Sequence, residues 1–118
     1  LVVDDEVSVC QMLQRFLEKK DYEVATASNG EEGLKKLLEE NYSVAILDND
    51  MPKLNGLKLY LKIRKEGLSI KDHIIFYTGS ACTDLHQYLK RIKVPYLIKP
   101  TPLSKLKKYV EEHCCEPQ

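Results

Sequence analysis

VAILDNDMPKLNG, residues 44–56, reads as a strand that runs straight into a carboxylate. Val44, Ala45, Ile46 and Leu47 form an unbroken apolar run of strand length, the pattern of a strand buried on both faces. Asp48 therefore stands at the strand's exposed end, the chain breaks at Met51-Pro52, and a helical pattern resumes at Gly56. A strand covered on both sides calls for a parallel sheet with helices above and below it. Asp48 is then a candidate acceptor of a phosphoryl group, provided that other strand ends bring it the partners which that chemistry needs.

Upstream, Leu1 to Val3 is a second apolar run, and it ends on Asp4, Asp5 and Glu6. A helix follows, with Val9, Met12, Leu13, Phe16 and Leu17 on one stripe and Gln14, Arg15, Glu18 and Lys19 opposite. Tyr22 to Ala27 places Glu23 between Tyr22 and Val24, an alternation that predicts an edge strand. Ser28 with Glu31, or Asn29 with Glu32, has the spacing of a capping box for a second helix reaching about Asn41. Leu34, Leu37 and Leu38 form that helix's apolar face, and Gly33 inside it costs about 1 kcal/mol relative to Ala, so a close packing contact is expected there.

Downstream, a third helix is predicted from about Gly56 to Glu66, with Leu57, Tyr60, Leu61 and Ile63 facing inward. His73 to Tyr77 is a fourth strand ending on Thr78-Gly79-Ser80, and a short helix, about Thr83 to Ile92, leads to a fifth strand, Pro95 to Ile98. Pro95 cannot donate to a ladder and puts that strand at an edge. After Lys99-Pro100-Thr101-Pro102 an amphipathic helix carrying Leu103, Leu106 and Val110 closes the chain. Five strands alternating with five helices, with the second and fifth strands at the edges, predict a flavodoxin-like doubly wound α/β fold of order 2-1-3-4-5. All 118 residues belong to one domain.

In such a sheet, ligands bind beyond the carboxyl ends of the strands at the switch point, here between strands one and three. Asp4 and Asp5 leave strand one, Asp48 strand three, Thr78 strand four and Lys99 strand five, all at the same end. Each alone is an ordinary cap or turn residue; the convergence of four strand ends is what carries information. Neighbouring carboxylates repel by up to about 4 kcal/mol per pair at 4 Å and an effective dielectric near 20, so a cation must sit among them. Oxygen ligands without Cys or His suit Mg²⁺, for which Mn²⁺ can substitute. That ion would offset charge during transfer to Asp48 while Lys99 and the Thr78 hydroxyl hold the remaining phosphoryl oxygens.

Composition removes other classes. Lys plus Arg and Asp plus Glu each number 18, so no basic excess points to nucleic acid or an anionic membrane. No apolar run approaches the roughly 20 residues that span a bilayer, and LVVDDE is not a signal peptide, so a cytoplasmic protein is expected. Cys10, Cys82, Cys114 and Cys115 form no C-x-x-C and no zinc spacing with His73, His86 or His113, which favours reduced thiols. Leu1 lies inside an apparent strand, which reads as an excerpt of a longer protein.

LVVDDE, LDNDMPKLNG, YTGS and YLIKP, in this order along the whole chain, resemble the receiver domain of two-component response regulators. The resemblance implies that Asp48 takes phosphate from a phosphohistidine of a histidine kinase or a histidine phosphotransfer domain, and that the domain catalyses its own phosphorylation and dephosphorylation. It implies Mg²⁺ held by Asp5, Asp48 and the backbone carbonyl of Asp50, with Asp4 assisting, and a cis Lys99-Pro100 bond that aims the ammonium into the pocket. By the same resemblance Thr78 moves toward the phosphoryl group, Tyr96 turns inward behind it, and Gly79 leaves room for the phosphate. An effector domain or downstream protein would read helix 4, strand 5 and helix 5, the domain being a monomer or a phosphorylation-linked dimer. Tyr77 to Pro100 also resembles receivers fused behind hybrid sensor histidine kinases.

Asp50, two residues after the acceptor, is an individual feature expected to tune the lifetime of the phosphorylated state. Among rivals, Asp48-x-Asp50 resembles the paired aspartates of haloacid dehalogenase-type phosphatases, but the acidic metal pair there comes late in the chain, the reverse of the order here. A pseudo-receiver would lack Asp48, Thr78 or Lys99, and a flavin site would need a Ser/Thr/Gly phosphate loop after strand one, where acids stand instead.

Overall fold

Successive residues of the strands face opposite layers, and this alternation sorts the core into two halves. In the computed structural model, which describes residues 1–51, 53–79 and 83–113, the sheet consists of β1 (Val2–Val3), β2 (Thr26–Ala27), β3 (Ala45–Leu47), β4 (Ile74–Thr78) and β5 (Tyr96–Ile98). Val2, Ile46, Ile75, Tyr77 and Leu97 pack on one side with Cys10, Leu13 and Leu17 of α1 (Val7–Glu18) and Leu106 and Val110 of α5 (Leu103–His113). Val3, Ala45, Leu47, Ile74 and Phe76 pack on the other side against α2 (Gly30–Glu39), α3 (Gly56–Lys65) and α4 (Thr83–Arg91). All pairings are parallel and the order is β2-β1-β3-β4-β5, as predicted. No helix among the described residues is long and apolar enough to cross a membrane.

The second strand is shorter than the expected span Tyr22 to Ala27. Its partner β1 has only two paired residues, and the Tyr22 N–H goes instead to the Leu17 carbonyl at the end of α1, 3.2 Å away. A 3-10 turn at Ser69–Asp72, which the apolar pattern did not announce, leads into β4. Both capping residues at α2 take part: Asn29 accepts the Glu32 N–H, and the Glu32 carboxylate reaches back to the Ser28 hydroxyl at 3.0 Å. Pro52, Ser80, Cys82, Cys114 and Cys115 lie outside the described residues. Cys10 is buried and free, with burial pushing its thiol above its ordinary value, which suits a reduced, unreactive side chain.

Gly33 has the packing role its position suggested. A Cβ there would lie 3.0 and 3.1 Å from the two γ-methyls of Val3, a residue with no solvent exposure at the centre of the sheet. Gly33→Ala is expected to destabilise the fold by about 1–2 kcal/mol, because the overpacking outweighs the helix-propensity gain of roughly 1 kcal/mol. Urea unfolding measures it; a stabilised variant would contradict the close contact.

Candidate functional site

The parallel ladders carry four functional side chains to one end of the sheet. Val3 is in register with Leu47, and the Asp48 N–H donates to the Val3 carbonyl at 2.9 Å. The next residues of the two strands, Asp4 and Asp48, therefore emerge side by side. Thr78 ends β4 opposite Ile98, and the Lys99 N–H donates to the Thr78 carbonyl at 2.8 Å, which brings the lysine to the same rim. Asp4, Asp48 and Thr78 are buried while Asp5 is exposed. One carboxylate oxygen from each of Asp4, Asp5 and Asp48 lies within 4.8 Å of the others, an arrangement of hard oxygen donors that could hold a metal ion.

Lys99 is the cation within the cluster. Its Nζ lies 2.7 Å from Asp4 and 3.7 Å from Asp48. Burial acts to lower the ammonium's pKa, yet the hydrogen bond to Asp4 and the charges of Asp48 and Asp4 carry it above its ordinary value. Burial, and next the Asp4 charge, push the Asp48 carboxyl up to about 6, while Lys99, the Thr78 hydroxyl and the Asp50 N–H pull it back. One lysine thus compensates the acidic cluster only in part, and further positive charge would relieve what remains. Asp4 has both oxygens engaged, one by Lys99 and the other by the Glu6 N–H at 2.9 Å.

The loop after Asp48 is closed by its own residues. The Asn49 side chain accepts the Leu57 N–H at 3.0 Å, its carbonyl accepts the Met51 N–H, and its N–H donates to the Thr78 hydroxyl at 3.3 Å. A Cβ on Gly56 would lie 2.5 Å from the Asp48 carbonyl, so only glycine lets α3 begin this near the acceptor. Asp50 is exposed and faces Gly79, where a Cβ would meet its Oδ2 at an ordinary 3.5 Å.

The structure brings Asp4, Asp5, Asp48, Thr78 and Lys99 together, and the Lys99-Pro100 bond is cis. Tyr96 stands apart from them, half-buried and stacked on His86 of α4 with ring centroids 5.0 Å apart and planes 6° from parallel. Sequence reasoning did not single out Tyr77, whose buried ring lies 5.6 Å beneath the Lys99 ammonium, nor the roles of Asn49 and His86. Tyr77 was readable only as part of an apolar strand. Asn49 carried a faint signal as a turn-former directly after Asp48.

Residues 1–111 match the family model described as the response regulator receiver domain. The chain is 32% identical over 115 residues to the probable C4-dicarboxylate response regulator DctR of Bacillus subtilis, covering 96% of the chain and 50% of DctR. It is 34% identical over 112 residues to the transcriptional regulatory protein ZraR of Klebsiella oxytoca, covering 95% of the chain and 25% of ZraR. It spans no more than half the length of these relatives. Among solved structures, the response regulator protein TrrA of Thermotoga maritima in complex with Mg(2+)-BeF is 37% identical, with 94% of each chain covered and a TM-score of 0.80. The chemotaxis protein CheY4 of Vibrio cholerae is 29% identical, with 95% of this chain and 94% of that one covered and a TM-score of 0.84.

Proposed function

The chain belongs to the response regulator receiver domain family and serves phosphorelay signalling, and from that premise we propose that Asp48 is its phosphoacceptor. The observation that carries the reading is a buried carboxylate at a strand end, flanked by Lys99, Thr78 and the acidic pair Asp4 and Asp5. The donor is a phosphohistidine on a histidine kinase or a histidine phosphotransfer domain. An Asp48 oxygen forms the new bond to phosphorus as the phosphorus–nitrogen bond breaks, and the imidazole nitrogen leaves with the bonding pair. Lys99 and the Thr78 hydroxyl then hold the equatorial oxygens, Lys99 loosening its contact with Asp4 to do so.

The oxygen donors fit Mg²⁺, or Mn²⁺ in its place: Asp5, Asp48 and the backbone carbonyl of Asp50 would hold it. Asp4, with both oxygens engaged, assists. When bound, the ion neutralises charge on the transferring phosphoryl group. A new dianion at Asp48 recruits Thr78, and Tyr96 follows, repacking the face of α4, β5 and α5 that an effector domain or downstream protein reads. The test is incubation with phosphoramidate and Mg²⁺. One hydroxylamine-labile acyl phosphate per chain is the expected result. Sustained release of inorganic phosphate without a trapped adduct would point to a phosphatase, and no adduct at all to a pseudo-receiver.

Asp50→Asn is expected to slow loss of that phosphate several-fold, as read from decay of the labelled protein. The exposed carboxylate repels a phosphoryl dianion and can orient an attacking water, and both effects shorten the lifetime. Equal decay rates would leave Asp50 without this role.

A further inference from the structure

A groove of about 680 Å³ runs over β5 between α4 and α5. Its floor includes Tyr96, Ile98 and Tyr109, with the Ile98 side chain 38% exposed, and its rim carries Lys90, Lys93 and Lys105 against the single acid Glu112. None of the three lysines makes an ion pair among the described residues. In a chain with no net charge, such a local excess over an apolar floor has the character of a recognition surface. We infer that this groove docks an acidic, amphipathic peptide segment of a partner protein, carboxylates meeting the lysine rim and apolar side chains covering Ile98 and the tyrosines. The inference rests on the reading of this face as the output surface and adds the chemistry of what binds there.

Charge and shape select this occupant. A second copy in a two-fold pairing would set three lysines against three lysines, with one Glu112 per copy to offset them. A nucleic acid backbone is bound through many phosphate contacts, whereas three lysines around exposed isoleucine and tyrosine suit a peptide. The floor also has a means of sensing phosphorylation. Tyr96 is stacked on His86, whose Nε2 is buried without a hydrogen-bond partner. An inward turn of Tyr96 breaks that stack and changes the floor that the peptide meets.

The test is selection of random dodecapeptides displayed on phage against the whole chain, with Mg²⁺ alone and with Mg²⁺ plus beryllofluoride. Enriched clones are expected to interleave Asp and Glu with Leu, Phe or Tyr. Combining Lys90→Glu, Lys93→Glu and Lys105→Glu is expected to weaken them by roughly tenfold or more. Enrichment of basic or uncharged clones, no enrichment, or indifference to the triple reversal would overturn the inference. So would a dimer that the reversal dissociates, or tighter binding of a duplex oligonucleotide than of the acidic peptides. Acyl phosphate formation by parent and variant is measured in parallel. Phosphorylation without peptide binding removes only the groove's role; acidic peptides bound equally in both states keep the groove and remove the switch.

Discussion

Asp48→Asn is expected to lower phosphoryl incorporation from phosphoramidate at least about a thousandfold, to the background of the assay. The substitution keeps the shape and exchanges a carboxylate oxygen for an amide, which is neither charged nor a competent nucleophile toward phosphorus. The neighbours should remain in place: Lys99 keeps its 2.7 Å contact with Asp4, and the backbone bond from Asp48 N–H to Val3 does not involve the side chain. The loss is therefore one of chemistry rather than folding. Hydroxylamine-labile label persisting in Asp48→Asn would move the acceptor elsewhere, with Asp5 and Asp50 as the residues to examine.

The site was legible in the sequence to the extent that strands made it so. Once Val44 to Leu47 and His73 to Tyr77 read as buried strands, strand ends had to coincide, and Asp4, Asp48, Thr78 and Lys99 converged without any knowledge of side-chain positions. The edge placement of the last strand followed from Pro95 in the same way. Less visible were contacts across the chain that no local pattern encodes. The Glu6 N–H engages one oxygen of Asp4 and Lys99 the other, which separates two adjacent aspartates into a paired and an open one. The sequence shows them as equivalent neighbours. The His86 stack on Tyr96 is similarly hidden, since a histidine at a helix position carries no sign of which ring it will meet. Strand two was overestimated because alternation at Tyr22 to Val24 describes which way side chains can point, not whether β1 is long enough to pair with them.

The same carboxylate that performs the chemistry should weaken the metal-free fold at neutral pH. Asp48 is raised from 3.8 to about 6, chiefly by burial and then by Asp4. An acid whose folded pKa lies above its unfolded value binds its proton more tightly when folded. Its favourable contribution is complete below about pH 4 and is lost as pH rises to about 6. Above that, ionised Asp48 costs up to about 3 kcal/mol at 1.36 kcal/mol per pH unit. In EDTA, Asp48→Asn should therefore be more stable than the parent at pH 7.5 by up to that amount, the advantage shrinking toward zero near pH 4.5. Adding Mg²⁺ should stabilise the parent at pH 7.5, where the cluster is ionised, and much less at pH 4.5, because only the ionised cluster attracts the cation. The variant, lacking one donor oxygen and one charge, should lose most of that response. Urea unfolding at the two pH values, with and without Mg²⁺, measures all four differences. A parent and variant separated by the same margin at both pH values would show that Asp48 carries no such strain, and that Lys99 alone suffices to neutralise the cluster.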